Sequence, residues 1–170
     1  MTYAWIVQNV FLALSVGRRN LHYIEFYGLA YKRIAVVIFL LLVIAGLITL
    51  LVKVRERKTT YFLFHRNAWI LYAVLIAVSA INWDNAITRY NLNANTRGPL
   101  DQQFLMFGLS DKNLPLLIEY NHDYFSKTGK NFFPNDLRSK RIRFYKGIED
   151  GSILSWNYPD WKVKQYLENH

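Results

Sequence analysis

Four histidines, His22, His65, His122 and His170, are the side chains best suited to metal binding or proton transfer in this 170-residue chain. No two of them stand at a metal-ligand spacing. His122-Asp123 is the sharpest pair, because a carboxylate beside an imidazole can fix its tautomer or share a metal. Neighbours in sequence rarely point the same way, so the simpler expectation is an ordinary loop following a helix that opens at Ser110. Glu25 and Glu119 become candidate general acids if a bilayer cavity desolvates them, but nothing in the spacing brings them together. His65 and Arg66 are the ionisable residues inside a plausible membrane span, which marks a functional position unless the helix simply begins after them. The absence of cysteine excludes disulfides, thiolate metal sites and thiol nucleophiles. HExxH, Walker and GxSxG patterns are missing, and the eight glycines are scattered. The expectation is a non-enzymatic protein with no catalytic residue, cofactor or metal.

The elements that would position these side chains begin with residues 34–52, an unbroken apolar run, IAVVIFLLLVIAGLITLLV. Nineteen residues of helix span about 28 Å, close to the roughly 30 Å hydrocarbon core of a bilayer. Thr49 is its one polar side chain, and its hydroxyl can bond back to its own helix. Residues 68–83 form a second apolar stretch that needs residues 61–67, with His65 and Arg66, to complete a crossing; an arginine near the helix end can snorkel. Two spans are expected, at about 33–53 and 62–83. Residues 3–16 are too short to cross alone, about 21 Å, and carry Gln8-Asn9 at their middle. They form either an interfacial helix or the back half of a transmembrane helix. Residues 18–33 mix bases with Tyr23, Phe26, Tyr27 and Tyr31, as headgroup-level segments do, and Gly28 is expected to break or bend them. The first seventeen residues lack the basic n-region of a secretory signal.

Charge separates two halves. Residues 1–66 carry nine bases against Glu25 and Glu56, whereas residues 67–170 carry twelve bases and ten acids, for a total of +9. The excess brackets the apolar run, where bases meet phosphate headgroups, so the lipid bilayer and anionic headgroups are the expected partners and nucleic acid is not. The basic stretch of residues 138–146, RSKRIRFYK, is expected to be the solvated face of a helix. Lys53, Arg55, Arg57, Lys58 and Arg66 compete with Arg18, Arg19, Lys32, Arg33, Arg89 and Arg97 in a positive-inside comparison. The density of the loop at 53–58 favours a cytoplasmic loop and an extracytoplasmic C-terminal region.

From Asp84 the chain turns polar and aromatic. Helix-start signals recur at Asp84, Asp101, Ser110, Asn135-Asp136 and Asp160, Gly98-Pro99 marks a loop, and no segment alternates strictly over six residues. The fold class is therefore mainly α: a membrane-associated segment at 1–32, a transmembrane hairpin at 33–83 and a small helical extramembrane region at 84–170. Its core is expected from Phe104, Phe107, Tyr120, Tyr124, Phe125, Phe132, Phe133, Trp156 and Trp161.

Gln8-Asn9, Arg18-Arg19, Tyr23-Ile24-Glu25-Phe26-Tyr27-Gly28-Leu29 and Arg33 form a pattern that resembles a bacterial multi-pass membrane family of unknown function, the domain of unknown function four-one-five-three and four-one-seven-three group. Asn82, Asp84, Ile87, Arg89-Tyr90-Asn91, Asp101, Leu109-Ser110-Asp111 and Leu114-Pro115 are similar to its post-membrane segment, and Ser155-Trp156-Asn157 to its closing motif. Ala30 departs from the threonine usual after Gly-Leu. The resemblance implies a bacterial cytoplasmic membrane and no established activity, and protein partners in that membrane are a separate expectation. It marks Arg18, Arg19, Tyr23, Glu25, Tyr27, Gly28, Arg89, Tyr90, Asn91 and Asp101 as candidate functional positions, beside Arg66 from the span. Family members generally carry further spans upstream, so the chain is expected to be the C-terminal part of a longer protein or a shortened paralogue. A transporter or lipid-handling enzyme whose working residues lie upstream is the alternative to an envelope interaction or assembly component.

Overall fold

The computed structural model describes residues 2–93, 98–133, 136–150 and 157–169. Arg97, Asn135, Ser155, Trp156 and His170, singled out above, lie outside the described residues. The described residues form helices and turns with no strand, and the chain divides into two compact units, residues 1–82 and 83–170.

The first unit is three helices: α1 (Thr2–Tyr27), α2 (Tyr31–Arg55) and α3 (Thr60–Ser79), with α2 packed against both others. α1 buries Ile6, Ala13, Asn20 and Ile24, a stripe at sevenfold and fourfold spacing that keeps one helix face on α2. Asn20 Nδ2 donates to the Arg33 carbonyl at 3.1 Å, and Gly17 lies against Leu40, so α1 and α2 run antiparallel. The Thr49 hydroxyl lies 2.8 Å from both the Gly46 carbonyl and Asn67 Oδ1, while Lys53 Nζ donates to Thr60 Oγ1 at 3.4 Å; α3 therefore runs back along α2.

The turn into α2 is made by Gly28, whose φ of 79° is a left-handed conformation open to glycine at no steric cost. Its N–H donates to the Ile24 carbonyl at 2.9 Å and its own carbonyl accepts from Arg33 Nη1. At the end of α2, Glu56 N–H bonds the Val52 carbonyl and Lys58 N–H the Lys53 carbonyl, with Arg57 left-handed at φ 52° between them. This is a Schellman closure with arginine where glycine is usual. Gly28 breaks the helix as expected, but residues 3–16 and 18–27 are one helix that runs through Gly17 without a bend. The second apolar helix ends at Ser79, earlier than residue 83, and Trp83 already opens α4.

The second unit contains α4 (Trp83–Asn93), a π-type turn at Phe104–Gly108, a 3-10 turn at Asp111–Asn113, α5 (Leu114–Thr128), α6 (Asp136–Glu149) and α7 (Tyr158–Asn169). α5 packs against α4, α6 and α7. Leu114, Phe144, Val163 and Leu167 form the buried centre, with Ile118, Leu137, Tyr145, Ile148 and Tyr166 around it. The core is more aliphatic than expected: Phe133 is buried, but Phe107, Phe125 and Trp161 are exposed. Phe132 makes edge contacts with Tyr120 and Tyr124 instead.

Candidate functional site

Arg18, Arg19, His22, Tyr23, Phe26 and Tyr27 line an open groove of about 580 Å³ on α1. At about 100° per residue Arg18, Arg19, His22 and Phe26 lie opposite the stripe that α1 buries against α2 and share one outward face, with Tyr23 and Tyr27 on its flank. The Arg19 guanidinium sits 5.8 Å from the Tyr23 ring centroid and that of Arg33 sits 5.6 Å from Tyr27, within cation–π range. Glu25 Oε2 lies 3.6 Å from His22 Nδ1 on the flank of this face. Of the expected positions in this unit, Arg18, Arg19, Tyr23, Glu25, Tyr27 and Gly28 thus cluster at one end, with Gly28 shaping the turn.

Arg66 does not join them. Asn67 stands level with Thr49, whereas Glu25 stands near the start of α2, which separates Arg66 from the cluster by roughly 27 Å along the helix axis. Its surroundings on α3 are an exposed aromatic ladder, Tyr61 stacked on His65 and His65 edge-on to Trp69.

In the second unit the chemistry-bearing side chains form a buried polar knot. Asp84 Oδ2 accepts from the Ser110 hydroxyl at 2.7 Å and Oδ1 from the Ser110 N–H at 3.2 Å. Asn113 Nδ2 donates to Thr88 Oγ1 at 2.9 Å and to the Leu105 carbonyl at 3.1 Å; because that carbonyl only accepts, the amide orientation is fixed. Lys140, 1% exposed, donates to the same Leu105 carbonyl at 3.1 Å and to that of Leu109 at 3.4 Å. Burial pushes its pKa down from 10.5 to about 8; Asp111 opposes the shift, Arg143 adds to it and Asp84 opposes it.

Arg143 donates to Asp111 Oδ1 at 2.7 Å and to the Met106 carbonyl at 3.1 Å, and Arg141 to the Leu167 carbonyl at 3.0 Å. Arg138, Arg141, Arg143 and Lys146 stay exposed, as the expected solvated basic face requires, and only Lys140 departs from it by turning inward. Sequence reasoning missed the buried Lys140 because both of its partners are main-chain oxygens more than thirty residues away.

The remaining expected positions divide. Asn91 is buried, Tyr90 is half-exposed, and Arg89 lines an open groove of about 390 Å³ with Asn93, Glu119, Tyr120 and Asp123. Asp101 caps the π-type turn, its Oδ1 accepting from the Phe104 N–H at 2.8 Å. Ser110 makes no side-chain cap to its turn, having turned to Asp84. At α7 the cap is Asn157, bonded reciprocally with Asp160 through the Asp160 N–H at 3.0 Å. Among the described residues no three His, Asp or Glu side chains converge as metal ligands, and His122 and Asp123 are both exposed on α5.

A family model described as a domain of unknown function (DUF4153) matches residues 1–120, covering α1 through the start of α5. No curated protein and no solved structure matches the chain.

Proposed function

The chain belongs to this DUF4153 family of unknown function, and we propose that it is an integral membrane protein whose helical unit at 83–170 serves interaction or assembly at the bacterial cytoplasmic membrane. The supporting observation is where the apolar side chains face. α2 and α3 are long and apolar enough to cross a bilayer, at 25 and 20 residues or about 37 and 30 Å, yet only 11% and 0% of their apolar windows are buried. A core helix of a water-soluble protein hides such a surface; here Phe39, Leu41, Ile48, Leu71, Leu75 and Ile76 point outward.

The antiparallel register extends this reading to α1. With Asn20 beside Arg33 and Gly17 beside Leu40, residues of about 2–22 lie alongside the apolar run of α2 and share its depth. Their exposed Trp5, Val7, Phe11, Leu12, Leu14 and Val16 suit lipid, and Asn9 Nδ2 satisfies itself on the Trp5 carbonyl at 2.7 Å. In this reading the chain crosses three times, with the 56–59 turn and the start of α1 on the cytoplasmic side and residues 83–170 outside. In that outer unit, exposed Phe107, Ile142, Tyr158 and Trp161 supply surface of the kind enriched at protein contacts. Alkaline carbonate washing of membranes tests the bilayer assignment: the chain should stay in the pellet until detergent is added, and recovery in the supernatant overturns it.

A further inference from the structure

We propose that the outward face of α1 binds an anionic phospholipid, with Arg18 and Arg19 on the phosphate and the acyl chains lying along Phe11 and Leu12. This rests on α1 crossing the bilayer as described above. The lipid is identified by the order of chemistry along one helix face. Arg18, Arg19 and His22 lie within about one turn of Asn20, which is bonded to the Arg33 carbonyl, so they stand at the headgroup end of the apolar run.

Below them, towards the bilayer interior, the same face continues through Phe11 and Leu12, 70% and 53% exposed. Tyr23, Phe26 and Tyr27 close the opposite end of the groove with rings suited to the interface. A free phosphate would use the basic end and leave the apolar track idle; a phospholipid uses both. Charge selects an anionic headgroup, since Arg18 and Arg19 line the groove, no acid does, and Glu25, the one acid of α1, lies 3.6 Å from His22. The groove is open, which suits a lipid entering sideways from the bilayer better than a solute held by enclosure.

The test uses the full chain in phosphatidylcholine nanodiscs into which phosphatidylglycerol is titrated, with retained lipid counted by native mass spectrometry after release. Arg18→Gln combined with Arg19→Gln should weaken phosphatidylglycerol retention about twenty-five-fold, at about fivefold for each base removed. Arg18→Lys with Arg19→Lys should keep most of it, and 10 mM inorganic phosphate should not displace the lipid. Unchanged retention in the glutamine double variant, or equal loss in Lys53→Gln with Lys58→Gln at the other end of α2, overturns the site while leaving the membrane assignment standing. Displacement by inorganic phosphate overturns the lipid in favour of a free anion. Recovery of the chain in a carbonate supernatant is a different failure, that of the bilayer reading itself.

Discussion

Replacing Lys140 by methionine should change how the stability of the second unit responds to pH. Lys140 releases its proton at about 8 when folded and at 10.5 when unfolded, a gap worth about 3 kcal/mol. Because the folded pKa is the lower one, the unfolded chain binds more protons between these values, and stability rises with pH across that window. From pH 7 to 9.5 about 2 kcal/mol of the gap develops. The informative quantity is wild type minus Lys140→Met, in which every contribution common to the two chains cancels. The missing donors to Leu105 and Leu109 shift the baseline of that difference and not its slope.

Pulse proteolysis of the full chain in detergent, across urea at each pH, reads the unit through tryptic cuts within residues 138–146. The difference should grow by about 2 kcal/mol towards pH 9.5. A flat difference would mean that the ammonium is not desolvated. A difference that shrinks would mean that Asp111 and Asp84 hold the cation more strongly than burial opposes it.

Gly28→Ala should cost about 1–2 kcal/mol, because φ 79° is strained for any residue with a Cβ; thermal unfolding of the first unit in micelles checks it, and Gly17→Ala, with only an ordinary 3.6 Å contact to Leu40, should be much milder. Asp84→Ala removes both bonds to Ser110, which is exposed and can turn to water, and takes away a carboxylate near Lys140, so the second unit should lose about 1–2 kcal/mol in urea unfolding, and Asp84→Asn should recover part of it. Thr49→Val removes the hydroxyl between Gly46 and Asn67 and should weaken α2–α3 association by about 0.6 kcal/mol, measurable by steric trapping in bicelles.

The apolar helices were legible because a crossing needs apolar residues all round, and the run at 34–52 has a single polar side chain. α1 was harder. Gly17-Arg18-Arg19 looks like a boundary in sequence, and only packing shows Gly17 against Leu40 within a continuous helix. The motif residues after the second apolar helix were visible as a pattern, but their division of labour was not. Asp84 reaches Ser110 across 26 residues and Lys140 reaches Leu105 across 35, and periodicity carries no information at such separations. The run RSKRIRFYK illustrates the same limit: four of its five bases stay on an exposed face, while Lys140 alone is turned inward onto the Leu105 and Leu109 carbonyls.

Single cysteines in this cysteine-free chain test the three-crossing arrangement most directly. Thr2→Cys, Lys58→Cys and Ser126→Cys sample the start of α1, the turn after α2 and the exposed surface of α5. With a membrane-impermeant maleimide on intact cells, Ser126→Cys should label from outside, and Thr2→Cys and Lys58→Cys only after permeabilisation. Labelling of Thr2→Cys together with Ser126→Cys would show that α1 does not cross, and labelling of all three without permeabilisation would contradict the bilayer account.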